Sequence, residues 1–227
     1  GPQVNFVGEK SPGYYAALYR RDGLEGGHVI MLGHGNTEAA AEALAAYPSN
    51  LQVGGGINAG NACDWLDSGA QKVIITSFAF REGELSYENL KKLKAAVGAQ
   101  HVVLDLSCRC INGRYYVAAR RWQQVTDVEI TGEALDALRS YCSEFLVHAV
   151  DKEGRQAGID CDLVALLARS TDLPVTYAGG VASMEDIYAI EKSGEGRVDV
   201  TVGSGLDLFG GALLRYADLV AIDRERR

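Results

Sequence analysis

The sequence predicts a single (β/α)8 TIM barrel in which seven of the eight strands are visible. Short β-branched runs alternate with amphipathic helical stretches along the chain, a pattern typical of parallel βα units whose sheet is covered on both faces. Two segments also resemble each other, as the halves of a duplicated barrel would. We therefore expect one domain over residues 1–227, with the second half-barrel beginning near residue 101.

The predicted strands are short runs rich in valine, isoleucine and leucine, bounded by glycine or polar residues. A strand buried on both faces of a parallel sheet is expected to be apolar almost throughout. The runs lie at residues 28–33, 51–56, 72–77, 101–107, 144–150, 174–180 and 198–204.

Eight amphipathic stretches fit around these strands. Several begin near a residue that favours the helix N-cap, such as Thr37, Thr131 or Ser183. The predicted helices lie near residues 12–22, 37–46, 60–69, 86–97, 131–141, 161–170, 183–193 and 212–223.

No strand is predicted before the first helix. The segment GPQVNFVGEK carries proline, glycine and charge where a buried parallel strand should be apolar. A closed barrel of this kind has eight strands, because a gap would expose two unpaired edges. We therefore expect strand one and its loop to be missing from these residues.

The composition narrows the class of function. A net charge of −8 argues against a nucleic-acid partner, and no apolar run reaches the roughly 18 residues of a membrane span. The odd number of cysteines favours reduced thiols in an intracellular compartment. Cys108 and Cys110 alone are too few for a zinc site, so we expect no metal.

The internal repeat pairs residues 51–77 with residues 175–204. In each copy a strand ends in a glycine pair, a helix follows, and the next strand ends in small residues. Gly55-Gly56 falls on Gly179-Gly180 in this alignment. Such self-similarity indicates equivalent loops on opposite sides of the barrel mouth.

Glycine pairs at strand ends let backbone N–H groups approach an anion, and a following helix N-terminus adds a favourable dipole. A single pair is more often a tight turn without a ligand, but two symmetric pairs favour a ligand with a phosphate at each end. The expected binding residues are Gly179, Gly180, Gly203 and Ser204 at one site and Gly55, Gly56, Thr76 and Ser77 at the other.

Asp105 stands near the end of the apolar strand HVVLDLS, so its side chain is expected at the barrel mouth. There it would serve as a general acid. The alternative interpretation is an acid that caps a loop or pairs with Arg109. By the half-barrel symmetry, the missing strand should carry a matching carboxylate, and two facing acids would form an acid and base pair.

Other polar or aromatic candidates lie at the same rim. Asp151 and Glu153 follow the strand that contains His148, although both are also consistent with solvated loop residues and His148 with a packed core histidine. Trp122 lies in a predicted long loop after the strand of Asp105. It is positioned to stack on a heterocycle or to close a small loop core.

The segments LQVGGGIN, VVLDLSCR, FLVHAVDKEG, VTYAGG and VGSGLDLFGG, in this order, resemble the eukaryotic and plant branch of 5'-phosphoribosylformimino-5-aminoimidazole carboxamide ribotide isomerase. The resemblance implies an Amadori rearrangement of an aminoaldose to an aminoketose in histidine biosynthesis. It also implies a bis-phosphorylated substrate and no metal or organic cofactor. Asp105 would be the acid that helps to open the ribose ring, Trp122 would stack near the aminoimidazole, and Asp151 and Glu153 would assist.

In that family the base is an aspartate of strand one, within a stretch like CIDLHNGKV, and these 227 residues contain no such stretch. We therefore expect this chain alone to turn over weakly or not at all. One hypothesis is an isomerase whose first strand was removed or is supplied by another polypeptide. Another is a pseudoenzyme that serves as a structural or interaction subunit. A tryptophan-pathway isomerase is less favoured, since its substrate has one phosphate. The expected compartment is the cytoplasm or a plastid.

Overall fold

The computed structural model describes residues 6–33, 35–119, 122–152 and 158–226. Its strands, in chain order, are β1 (Gly27–Ile30), β2 (Leu51–Gly54), β3 (Lys72–Ile75), β4 (Phe80–Arg81), β5 (Glu84–Leu85), β6 (Val102–Asp105), β7 (Cys108–Ile111), β8 (Arg114–Ala119), β9 (Gln124–Glu129), β10 (Glu144–His148), β11 (Val175–Ala178) and β12 (Val198–Thr201). Seven of them form one parallel sheet in the order β1, β2, β3, β6, β10, β11, β12. All seven predicted strands are confirmed, although each ends earlier than expected.

Helices connect the strands of this sheet. They are α1 (Pro12–Asp22), α2 (Thr37–Ala46), α3 (Ala62–Asp67), α4 (Tyr87–Val97), α5 (Gly132–Leu138), α6 (Cys161–Ser170), α7 (Met184–Ser193) and α8 (Tyr216–Arg226). The eight predicted helices are therefore confirmed. The order of strand and helix is that of a (β/α)8 barrel with seven of its strands in the described residues.

Local capping explains where several helices begin. The side chains of Thr131 and Ser183 accept hydrogen bonds from backbone N–H groups of α5 and α7, as predicted. The prediction for Thr37 is wrong, because Asn36 occupies the N-cap position and Thr37 is the first helical residue. Each side-chain cap satisfies a backbone donor that has no partner within the helix.

Side chains alternate between the barrel interior and the helix layer along each strand. Ile74, Val103, Leu146 and Ala178 form a compact apolar layer inside the barrel. The opposite strand faces pack against the helices in a larger core. Full burial of one such aliphatic side chain stabilises the fold by about 1.5–3 kcal/mol.

The barrel is open between β1 and β12, which form the two ends of the sheet. Within the described ranges, neither strand pairs with a further strand on its outer side. A cavity of about 820 Å³ occupies the interior beside this gap. The gap lies where barrel closure requires one more strand.

A region predicted as a long loop is instead an antiparallel sheet of β7, β8 and β9. Asn112 and Gly113, which join β7 to β8, both have positive φ angles of 52° and 79°. Asn-Gly with this backbone is a typical two-residue hairpin turn. The sheet lies beside the barrel mouth, because Val150 N–H donates to the Cys108 carbonyl oxygen at 3.0 Å.

None of the helices in the described ranges is both long and apolar enough to cross a membrane.

Candidate active site

Asp105 is the last residue of β6 and is 8% exposed. Its Oδ1 lies 3.1 Å from Nδ1 of His148 and accepts a hydrogen bond from the Ser107 hydroxyl at 3.1 Å. Its Oδ2 accepts one from the Thr76 hydroxyl at 3.3 Å. Arg109, the alternative partner considered from the sequence, is not among these contacts. The carboxyl group is therefore held at the end of its strand by side chains from three different segments.

His148 stands at the end of β10, the strand next to β6 in the sheet. Leu146 is the register partner of Asp105, so His148 lies at the carboxyl end of the strands. The indole ring of Trp122 lies with its centroid 6.5 Å from that of the imidazole, tilted by 42°. Trp122 is half-buried and has a positive φ of 67°. The structure thus brings Asp105, His148 and Trp122 together.

The two glycine pairs have similar backbone conformations. Gly55 and Gly179 have φ angles of 97° and 120°, and Gly56 and Gly180 have φ angles of 72° and 76°. Residues other than glycine rarely adopt these angles. Each pair therefore depends on glycine to turn the chain away from its strand.

Close packing adds a second requirement at the first glycine of each pair. A Cβ atom on Gly55 would overlap the carbonyl oxygen of Met31, and one on Gly179 would lie 2.9 Å from that of Ala149. Met31 and Ala149 each follow the strand that precedes the glycine pair in the sheet. The two loops therefore contact equivalent backbone positions.

In the part of the chain that the structure describes, these strand ends leave backbone N–H groups without a protein acceptor. Among the residues that the structure describes, none of the predicted phosphate-site N–H groups donates a hydrogen bond within the protein. The predicted residues are Gly55, Gly56, Thr76, Ser77, Gly179, Gly180, Gly203 and Ser204. A row of such N–H groups at strand ends is able to bind an anion.

The cavity of about 820 Å³ is lined by His148, Gly179, Gly180, Gly203 and Ser204. The glycine pair that follows β2 and the residues that follow β3 do not line it. The predicted phosphate site that follows β11 and β12 therefore lines the cavity. The other predicted site follows β2 and β3, at the same end of the sheet but outside the cavity lining.

A polar layer lies deeper in the barrel. Glu144 is 8% exposed, and its carboxylate accepts hydrogen bonds from Gln52 Nε2 at 2.9 Å, Lys72 Nζ at 3.0 Å and Thr176 Oγ1 at 3.3 Å. Burial lowers the pKa of His28, which the nearby Glu144 partly offsets. Oε1 of Gln52 is buried without a hydrogen-bond partner in the described residues.

The remaining predicted catalytic residues take other positions. Asp151 is exposed, and its Oδ2 accepts a hydrogen bond from the Cys110 backbone N–H at 3.1 Å. This contact ties the loop after β10 to β7. Glu153 lies outside the described residues.

Sequence reasoning missed the contacts that hold Asp105. Thr76 was predicted as a phosphate ligand, but its hydroxyl donates to Asp105. Ser107 was not predicted at all, although it stands two residues after the acid, where its side chain returns to the same face. A serine two residues after Asp105 in the same extended segment is the pattern that would have predicted this contact.

The family model described as histidine biosynthesis protein matches residues 3–210 of this chain. Among curated proteins, the chain is 49% identical to a chloroplastic 1-(5-phosphoribosyl)-5-((5-phosphoribosylamino)methylideneamino) imidazole-4-carboxamide isomerase of Medicago truncatula, over 100% of this chain and 73% of that protein. It is 47% identical to the isomerase of the same name from Neurospora crassa, over 99% of this chain and 88% of that protein. For the Saccharomyces cerevisiae isomerase the identity is 44%, over 96% and 85%.

Proposed function

The chain belongs to the histidine biosynthesis protein family, and we propose that it catalyses the isomerisation for which its relatives are named. The reaction is an Amadori rearrangement, which converts an aminoaldose into an aminoketose. The observation that carries this proposal is the identity of 44–49% to three such isomerases over nearly the whole chain. The enzyme class is therefore an intramolecular oxidoreductase acting on a small molecule.

The substrate in the relatives' name contains two phosphoribosyl groups, so it carries a phosphate at each end. We propose that Gly179, Gly180, Gly203 and Ser204 bind one phosphate, and that Gly55, Gly56, Thr76 and Ser77 bind the other through their backbone N–H groups. The matching φ angles of the two glycine pairs support equivalent roles. Equivalent roles for the two glycine pairs are what we expect of a half-barrel repeat within one domain.

For the chemistry, we propose that Asp105 supplies the acid function at the mouth, with Trp122 covering the heterocycle. The burial of Asp105 and its three side-chain contacts support a fixed catalytic group. Asp151 accepts a hydrogen bond from the Cys110 backbone N–H. We therefore propose that it holds the loop after β10 in place at the barrel mouth.

We further propose that one extended segment closes the barrel between β1 and β12 and supplies a second carboxylate as the base. Two sheet edges that border an interior cavity, together with the buried Oε1 of Gln52, support this proposal. The segment would come from this polypeptide or from a protein partner. Addition of a CIDLHNGKV peptide should then raise turnover. If turnover stays the same at a saturating concentration of the peptide, the proposal of a closing segment that supplies the base is wrong.

Binding of a bis-phosphorylated product analogue, measured by isothermal titration, tests the phosphate sites. Gly203→Ala is the sharpest variant, because its Cβ would meet no protein atom within 4 Å and would occupy the space proposed for the anion. We expect about tenfold weaker binding, or about 1.4 kcal/mol, with unchanged thermal stability. Gly132→Ala, whose Cβ would lie 3.6 Å from Ser170 O in the helix layer, is the matched control. Equal affinities for both variants and the wild type would argue against the site.

The cellular compartment of this chain is proposed from that of a plant relative. The Medicago relative is named as chloroplastic, and we propose a plastid or the cytoplasm for this chain. Fluorescent tagging of the native gene product would distinguish the two.

A further inference from the structure

We propose that Tyr115, Asp160 and Tyr177 are positioning residues, which hold the antiparallel sheet that carries Trp122 in place against the phosphate loop after β11. This inference rests on the proposed function, in which that loop binds a phosphate and Trp122 covers the heterocycle. None of the three positioning residues lines the cavity, so they act through the segments that they hold and not on the substrate itself.

Asp160 is the N-cap residue of α6 and the centre of this network. Its Oδ1 accepts a hydrogen bond from the Leu163 backbone N–H at 3.0 Å and another from the Tyr115 hydroxyl at 2.7 Å. Its backbone N–H donates to the Tyr177 hydroxyl oxygen at 3.0 Å. One residue therefore connects β8, α6 and β11, although its partners Tyr115 and Tyr177 lie 45 and 17 residues away in the chain.

The two tyrosine side chains are buried partners of Asp160. Tyr115 is 8% exposed and Tyr177 is 0% exposed. Burial raises the pKa of both phenols above the usual value, so both stay protonated at neutral pH. The bond from Tyr115 to the carboxylate is charge-assisted, a class of hydrogen bond that is stronger than that between neutral groups. The network is therefore suited to fixing positions and not to proton transfer.

On one side, the network reaches the phosphate loop. Tyr177 lies on β11, three residues before Gly180. A Cβ atom on Gly180 would overlap the carbonyl oxygen of Gly158 and would lie 3.0 Å from Cβ of Lys152. Gly158 stands two residues before Asp160. The position of Asp160 therefore determines how closely this segment packs on the phosphate loop.

On the other side, the network reaches the aromatic residue at the mouth. Tyr115 lies on β8, which ends three residues before Trp122. The sheet also contacts the barrel through β7, where the Val150 N–H donates to the Cys108 carbonyl oxygen at 3.0 Å. Loss of the Tyr115 hydroxyl should therefore displace β8 and Trp122 without detaching the sheet.

This arrangement fixes the separation between the phosphate loop and Trp122. A ligand that contacts both parts binds best when they are already held at the correct separation. Inorganic phosphate contacts only the loop, so its affinity does not depend on the position of Trp122. The network therefore contributes to selectivity for a ligand that carries a heterocycle at a set distance from its phosphate.

Three substitutions separate this role from a general effect on folding. Tyr115→Phe removes only the hydroxyl that contacts Asp160. Asp160→Asn is the conservative variant, because its amide oxygen still accepts hydrogen bonds and asparagine is a favoured N-cap residue. Tyr116→Phe is the matched control, since Tyr116 is the next residue of β8 and its hydroxyl has no hydrogen bond within the described residues.

The first measurement is titration of each variant with the bis-phosphorylated product analogue and, separately, with inorganic phosphate. We expect Tyr115→Phe to weaken binding of the analogue about tenfold and to change the affinity for inorganic phosphate by less than about twofold. Asp160→Asn and Tyr116→Phe should stay within about twofold of the wild type for both ligands. Equal effects of Tyr115→Phe on the two ligands, or no effect on either, would overturn the inference.

Tyr177→Phe tests the side of the network next to the phosphate loop. It removes the acceptor of the Asp160 backbone N–H, so we expect it to weaken inorganic phosphate and the analogue alike, by about three- to tenfold. Wild-type affinity for inorganic phosphate in this variant would overturn the role assigned to Tyr177.

The second measurement follows Trp122 without any ligand. The chain has two tryptophans, so labelling with 5-fluorotryptophan gives two fluorine NMR resonances, which Trp65→Phe assigns. Tyr115→Phe should shift the Trp122 resonance and leave that of Trp65, which is buried on α3. An unmoved Trp122 resonance would overturn the inference and leave the isomerase proposal intact. Failure of the wild type to bind the analogue would instead contradict the proposed phosphate sites and the inference that rests on them.

Discussion

Removal of the negative charge of Glu144 should destabilise the barrel strongly. The carboxylate accepts three hydrogen bonds inside the barrel, including one from Lys72 Nζ at 3.0 Å. Glu144→Gln leaves the Lys72 charge uncompensated in a partly buried position. Loss of one partner of a buried pair typically costs about 3–5 kcal/mol. The Lys72 side chain remains 19% exposed, so partial hydration reduces our expectation to about 2–4 kcal/mol.

The assay is urea unfolding at neutral pH, supported by a thermal melt in which Tm should fall by roughly 5–15 °C. Glu195→Gln is the matched control, since its partner Arg197 lies 3.3 Å away with both side chains at least half exposed. It should change stability by about 0–1 kcal/mol. Adding Lys72→Met to Glu144→Gln should recover part of the loss, because the unpaired charge is then gone. Equal effects of Glu144→Gln and Glu195→Gln would refute the reasoning.

Three further predictions concern the glycine turns, the thiols and the interior histidine. Gly55→Ala should cost about 2–5 kcal/mol in urea unfolding, because its Cβ would overlap the Met31 carbonyl oxygen. Gly56→Ala, with no neighbour within 4 Å, should cost only about 1–2 kcal/mol for its positive φ, and the reverse order would contradict this account. Burial raises the pKa of Cys142 to about 12 and raises that of Cys108 further, so a disulfide reagent at neutral pH should label only three thiols in the native protein. These are Cys63, Cys110 and Cys161; rapid labelling of all five would be inconsistent with the burial. Burial lowers the pKa of His28 below its usual value of 6.5. As the pH falls through about 6.5, His28 therefore binds a proton more readily in the unfolded chain than in the folded protein, and the stability of the fold decreases. The loss of Tm between about pH 7.5 and about pH 5.5 should be smaller in His28→Gln; an equal loss would contradict the assignment.

The barrel could be predicted from the sequence because parallel strands leave a strong signal of short, almost continuous apolar runs. The antiparallel sheet over β7–β9 was missed because only β8 carries an apolar run, whereas β7 and β9 mix polar and apolar residues. Its Asn112-Gly113 turn was the available clue. The signal for individual strands was therefore strong, while the signal for the smaller sheet depended on one dipeptide.

The site was only partly predictable. Glycine pairs and an acid in an apolar strand stand out in a sequence, so Asp105 and Gly179 were identified. The contact between Asp105 and His148 depends on the register of β6 against β10, which no local pattern determines. The same holds for Glu144 and Lys72, which are 72 residues apart in the chain.

The most direct test of the account is conversion of the bis-phosphorylated aminoaldose by the wild-type chain and by Asp105→Asn, each with and without the CIDLHNGKV peptide. We predict that the wild type forms the aminoketose and that the peptide increases the rate. The rate of Asp105→Asn should be about 100-fold or more lower. In a separate titration, this variant should still bind the bis-phosphorylated analogue. Binding of the analogue without any conversion by the wild type under either condition would contradict the isomerase assignment and favour a non-catalytic barrel.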